Sequence, residues 1–155
     1  MTTKTRAEDF DFRPAVPDDA DRIAEIHRTA REVAMPWLPV MHTPSEDRWF
    51  YRHIVIPDHD VEVGEIEGEV LGFVAITDKW LHHLYVDPNA QRGGLGSALL
   101  RRAMAKRTTL NLWVFQQNVP ARKFYTSHGF KEVELTDGQA NEEKTPDVHM
   151  QWNRK

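Results

Sequence analysis

Apolar positions along the chain change period several times, and the changes mark out its elements. "FDFRPAV" (10–16) alternates and predicts a first strand. "PDDADRIAEIHRTAREVA" (17–34) then carries Ile23, Ile26, His27 and Ala30 at helical spacing, with Pro17 and Asp18 marking the start. "MPWLPVMHTP" (35–44) holds three prolines and must be a loop, yet Trp37, Leu38, Val40 and Met41 make it apolar. Loops are polar as a rule, so an apolar one either lies on the core or lines a pocket. Residues 45–55 resume a helix, with Ser45 as candidate cap.

Residues 59–78 read as two strands about a tight turn at Glu67-Gly68, and 79–86 as a third strand. Residues 94–107 predict a helix, with Leu95, Ala98, Leu99, Arg102 and Ala103 on one face. Its Arg101, Arg102, Lys106 and Arg107 complement the negative end of the dipole. A strand over 110–115 precedes a short helix over 118–129, capped by Asn118 and stopped by Gly129. Strands over 130–136 and 147–152 close the chain. The order β-α-α-β-β-β-α-β-α-β-β predicts a single mixed α/β (α+β) domain over 1–155.

Composition narrows the function. Apolar residues at 40% and charged residues at 28% are ordinary for a soluble domain. A net charge of −4 argues against nucleic-acid or anionic-membrane partners. The lack of cysteine removes disulfides, thiolate metal sites and a cysteine nucleophile, and it fits a cytoplasmic location. Residues 1–10 are too polar for a signal peptide, and no apolar run is long enough to span a bilayer. The eight histidines are scattered without an HExxH pattern, so no metal site is expected.

The chemistry concentrates in "DPNAQRGGLGSALLRRAM" (87–104), where glycine fills three of the four positions 93–96 just before a helix. The first turn of a helix presents unpaired amides and a partial positive charge, and small residues let those amides curve round a phosphate. Gly93, Gly94 and Gly96 suit a pyrophosphate, with Ser97 adding a hydroxyl and Arg92 a charge. A Walker A loop is excluded because Ser97-Ala98 follows Gly96, and a dinucleotide fingerprint because Leu99 holds the third glycine position. A plain capping turn would need one glycine, so three point to a ligand.

Gln91-Arg92-Gly93-Gly94-Leu95-Gly96 resembles the Gln/Arg-x-x-Gly-x-Gly/Ala signature of the GNAT superfamily of N-acetyltransferases. "LYVDP" (84–88) and "NVPARKFYTSHGF" (118–130) are also similar to that family's motifs, and the order of elements agrees. The resemblance implies a mixed, mostly antiparallel sheet of about seven strands, helices on both faces and two splayed central strands. These would be 80–86 and 110–115, beside a β-bulge. It implies acetyl-coenzyme A as co-substrate: the backbone of Leu84, Tyr85 and Val86 would pair with the pantetheine arm. The amides of Arg92, Gly93, Gly94, Leu95, Gly96 and Ser97, next to Gln91, would hold the pyrophosphate, and Asn118 would touch the cofactor. The reaction implied is direct attack of a primary amine in a ternary complex.

Tyr125 matches the family tyrosine near the cofactor sulfur. A phenol of pKa about 10 stays protonated at neutral pH and can donate to a departing thiolate. The base departs from the family. Ribosomal-protein N-terminal acetyltransferases carry a glutamate where Trp113 stands here, and the histone-type branch carries one where Trp80 stands. His82 and His83 remain as titratable candidates, and alternation along a strand turns only one of them to the cleft. Deprotonating a lysine-like amine at pH 7 costs about 4.6 kcal/mol, against about 1.4 for an α-amine, so a base matters more for the former.

Trp37 and His42 on the apolar loop, together with Trp113, are candidates for the acceptor pocket, and Tyr85 and Trp113 could narrow it. Glu142, Glu143 and Asp147 could attract a cationic amine. The acceptor stays open between a small molecule and a protein amine. The missing glutamates leave two alternatives: a weakly active acyl-coenzyme A sensor, or a transferase for another acyl group. Many members of the family are dimers, so the resemblance admits a homodimer.

Overall fold

The computed structural model describes residues 9–155, apart from the side chain of Arg92. The polar stretch before residue 9, read above as unlike a signal peptide, lies outside the described residues. β1 (Asp11–Pro14) leads through a 3₁₀ turn at Pro17–Asp19 into α1 (Ala20–Ala34). After the apolar loop, α2 (Pro44–Phe50) runs into a π-helical stretch, Tyr51–Val55, and a last turn, α3 (Ile56–Asp58). Then follow β2 (Asp60–Ile66), β3 (Glu69–Thr77), β4 (Trp80–Val86), a 3₁₀ turn at Pro88–Gly93, α4 (Leu95–Ala105), β5 (Thr109–Phe115), α5 (Val119–Ser127), β6 (Lys131–Leu135) and β7 (Asp147–Asn153). The second helix starts earlier than its sequence suggests. Thr43, not Ser45, is the cap: its Oγ1 accepts from the Glu46 amide at 3.1 Å, while Glu46 accepts from the Thr43 amide. Pro44 takes the first helical position, where its missing N–H costs nothing.

The seven strands form one sheet in the order β1-β2-β3-β4-β5-β7-β6. Neighbours are antiparallel except β4 and β5, which are parallel and pair only at Trp80 with Asn111. Past that pair the two central strands part.

Each sheet face has its own core. α4 and α5 cover one face, where Leu81, Leu110, Leu112 and Met150 meet Leu95, Leu99 and Phe124. On the other, α1 and the π-helical stretch cover Val61, Val63, Phe73 and Ala75 through Ile23, Ile26 and Tyr51. Gly64 and Gly72 let α4 settle onto the sheet: a Cβ would come within 2.6 Å and 2.8 Å of the Leu95 side chain.

A bulge between β3 and β4 sets the site. Ala75 faces His83 and Ile76 faces Leu81, so His82 is the extra residue. Two residues apart on a regular strand share a face. Here the bulge sends Leu81 into the core under α4 and His83 to the α1 side.

Candidate active site

The parting of β4 from β5 leaves the β5-facing backbone groups of β4 without a strand partner, over the stretch that includes Leu84, Tyr85 and Val86. An extended amide-rich arm can add there as a strand would. Gln91 donates from Nε2 to the Val86 carbonyl at 3.3 Å, tying the 3₁₀ turn to the end of β4.

Gly94 opens α4 with φ +81°, the left-handed region that glycine enters without penalty. Among the described residues no side chain caps this helix, and no acidic residue stands in its first turn. The first-turn amides of Leu95, Gly96 and Ser97 therefore carry their partial positive charge uncompensated. A Cβ on Gly96 would meet only Val86 and Phe124, at 3.7 Å or more, so packing does not demand a glycine there. Bareness at Gly96 suits an approaching anion instead, and the residues present fit a pyrophosphate. Ser97 Oγ lies 3.0 Å from His128 Nε2. Asn118 caps α5, accepting at Oδ1 from the Ala121 amide at 3.3 Å. Gly93 ends the 3₁₀ turn immediately before Gly94.

Tyr125, on α5, packs edge-on against Phe124 and Phe130, at ring-centroid distances of 5.2 and 5.5 Å. Burial raises its phenol above the ordinary value, and Tyr85 adds to the effect. Tyr125 is thus protonated at neutral pH.

On the opposite face a cleft of about 890 Å³ opens between α1, the 35–43 loop, α2, β4 and the β6–β7 loop. Met35, Leu38, Met41 and Phe50 give it apolar walls, His27 and His83 also line it, and Glu32, Glu46 and Glu142 add half-exposed carboxylates. Two ion pairs span it: Arg31 with Glu143 at 3.0 Å, and His42 with Glu142 at 2.7 Å. Arg28 meets Asp47 at 2.9 Å.

Of the residues expected at the acceptor side, His42, Glu142 and Glu143 line this cleft, whereas Trp37 and Trp113 do not. Trp37 packs edge-on against Phe115 at 6.3 Å. Trp113 stacks with Trp80 at 6.4 Å and lies 5.2 Å from His149, half exposed. The expectation for Asp147 is corrected: it is buried, and its carboxylate accepts from Thr136 and from Asn141 at 3.1 Å, holding the β6–β7 loop instead of facing the cleft.

The bulge separates the two candidate histidines. His82 turns to Thr77, with Nε2 2.6 Å from Thr77 Oγ1, and lies outside the cleft. His83 lines it; burial, reinforced by His82, His59 and Arg31, pushes His83 down to about 3. Sequence reasoning missed its neighbours. The rings of His27 and Tyr51 lie 6.0 and 5.4 Å from that of His83, and Tyr51 Oη is 2.6 Å from His27 Nδ1. The one signal was a histidine on the apolar stripe of α1, which a core position also explains. Among the described residues no group of acidic and histidine side chains is arranged to hold a metal ion.

The chain matches the family model described as "Acetyltransferase (GNAT) domain" over residues 39–132, more than half its length. It belongs to the GNAT family of acetyltransferases. An uncharacterised N-acetyltransferase of Methanocaldococcus jannaschii is 33% identical over 108 residues, 59% of this chain and 48% of that protein. The peptidyl-lysine N-acetyltransferase YiaC of Escherichia coli is 36% identical over 91 residues, 58% of this chain and 61% of that one. The chain thus spans about half to three fifths of these curated relatives.

Among solved structures, apo YjaB of Escherichia coli superposes with a TM-score of 0.78 at 19% identity, covering 94% of this chain and 99% of that one. The PaiA N-acetyltransferase of Thermoplasma acidophilum, solved with coenzyme A, gives 0.73 at 20% identity, covering 93% and 98%. Those likenesses establish the fold: a mixed α/β domain with a mostly antiparallel sheet and splayed central strands.

Proposed function

We propose that this chain transfers an acetyl group from acetyl-coenzyme A to a primary amine. The observation that carries the reading is the single pairing of β4 with β5 at Trp80 and Asn111, with the uncapped helix α4 on one face of the sheet and the cleft on the other. The family's co-substrate, and the coenzyme A in the PaiA structure, support the choice of carrier. The amides from Gly93 to Ser97, next to Gln91 and Arg92, take the pyrophosphate. The open edge of β4 at Leu84 to Val86 takes the pantetheine arm, which Asn118 borders.

The amine attacks the thioester carbonyl, a C–N bond forms and the C–S bond breaks. Tyr125 gives its proton to the departing sulfur. His83, neutral throughout the physiological range, accepts the proton that nitrogen sheds directly or through water. An imidazole of low basicity suffices because the nitrogen becomes strongly acidic as the C–S bond breaks and its lone pair delocalises into the new amide. His82 faces elsewhere and plays no part in the transfer. His42, Glu142 and Glu143 border the acceptor's path. The curated relative YiaC, named for peptidyl-lysine, supports an amine acceptor. No described helix is long and apolar enough to cross a membrane.

The test is thiol release from acetyl-coenzyme A with a panel of amines, run beside succinyl- and propionyl-coenzyme A. Amine-dependent release fastest with the acetyl donor supports the reading. Tight coenzyme A binding with no release from any donor would make the chain a sensor.

A further inference from the structure

His27 and Tyr51 form a pair that the proposed reaction does not use. Tyr51 is fully buried, on the π-helical stretch that follows α2, and among the described residues the hydrogen-bond partner of its hydroxyl is His27 Nδ1 alone. If Nδ1 carried the proton, the Tyr51 hydroxyl hydrogen would be left buried without an acceptor, a costly arrangement. Tyr51 therefore donates to Nδ1, and the His27 proton sits on Nε2. Among the described residues the only buried side-chain nitrogen or oxygen without a partner is His59 Nδ1. His27 Nε2 has no protein partner among the described residues, so it is not sealed in the interior; it opens to the cleft that His27 lines.

The ring also stays neutral. Burial, with Arg31, His83, Arg28 and His42 as the charged or titratable groups around it, lowers His27 to about 2. It is a neutral donor across the physiological range, and with Nδ1 engaged by Tyr51 and the proton on Nε2 it has no free lone pair to act as a base.

A donor on the cleft floor needs an oxygen. The attacking amine cannot satisfy it, because its single lone pair must point at the thioester carbon. The thioester oxygen arrives beside β4, whose unpaired amides can take it. Resting on the acetyltransferase reading above, we propose that His27 determines acceptor specificity. Its Nε2–H hydrogen-bonds a carbonyl oxygen carried next to the reacting amine, so the preferred acceptors are α-amino carbonyl compounds, whether amino-acid amides or peptide N-termini. A lysine ε-amine brings no such oxygen and leaves the donor unpaired. Tyr51 is a positioning residue that fixes the tautomer.

The experiment compares kcat/KM, expressed per free base to remove differences in amine pKa, for phenylalaninamide, a Phe-Gly-Gly peptide, phenethylamine and Nα-acetyl-lysinamide. The first two should exceed the last two by about tenfold or more, the factor that one unsatisfied buried donor costs. His27→Phe should collapse that ratio, and His27→Gln, which keeps a donor, should restore part of it. Tyr51→Phe should weaken the ratio and change the imidazole ¹⁵N shifts from a single Nε2–H tautomer to a mixture. Peptide and amide rates separate the two sources of the carbonyl. A ratio unchanged in His27→Phe, or a wild-type preference for the lysine compound, overturns the proposal and leaves the acetyltransferase reading standing. Absence of coenzyme A binding overturns both.

Discussion

Trp80 and Asn111 are the one residue pair that joins β4 to β5, and the site follows from what that joint leaves open. Asn111 is locked there: its amide donates to the Lys79 carbonyl at 2.7 Å, and its Nδ2 donates to the same oxygen at 3.1 Å. Beyond this anchor the strands diverge. Tyr125 approaches from the α5 side, and His83 and Tyr85 from the α1 side.

Gly94 tests the phosphate cradle. At φ +81° a β-branched residue is strained and would displace the first turn of α4. Gly94→Val should weaken coenzyme A binding by about tenfold or more while sparing a pantetheine fragment that lacks the pyrophosphate. Calorimetry on both ligands measures this; equal losses would remove the cradle.

Tyr125 tests the acid. Tyr125→Phe keeps the packing against Phe124 and Phe130 and removes only the hydroxyl. Turnover should fall by about tenfold to a hundredfold, with coenzyme A affinity unchanged. Steady-state kinetics beside a binding titration separates the two, and an unchanged kcat excludes the role.

The buried imidazoles set the acid stability. His27 and His83 are held near 2 and 3, below the ordinary 6.5, so the unfolded chain binds protons that the folded chain refuses. Their contribution is complete above pH 6.5 and is lost progressively as pH falls from there towards 3. His59, His82 and His128 are lowered too and act in the same direction, whereas His42, raised by Glu142, opposes them. The urea midpoint should drop between pH 7 and pH 5, and His27→Phe should flatten the drop. A midpoint that holds steady or climbs over that range contradicts this account.

The legible parts of the molecule were those written in local pattern. Period-two and period-3.6 stretches placed every strand and helix within a few residues, because most of these elements turn one apolar stripe to the core, although β6 is exposed throughout. The turn into α4 was readable because Gly94 takes a left-handed backbone conformation, φ +81°, that glycine advertises. Residue type alone favours Ser45 as the cap of α2, but Thr43-Pro44-Ser45-Glu46 spells a capping box that begins at Thr43. The acceptor side was harder. A bulge at His82 reverses the faces of the residues around it, and no alternation rule predicts where an extra residue falls. Trp37 and Trp113 looked like pocket walls by residue type alone, but Trp113 stacks on the sheet face beside Trp80 and His149. The His27–Tyr51 pair joins residues 24 positions apart, on α1 and the π-helical stretch, which only the tertiary fold brings together.

Titration of the protein with coenzyme A in a calorimeter, repeated at rising salt, addresses the main claim most directly. One saturable site per chain, weakening with salt and lost in Gly94→Val, is the predicted result. No heat of binding, or binding indifferent to Gly94→Val, would contradict it.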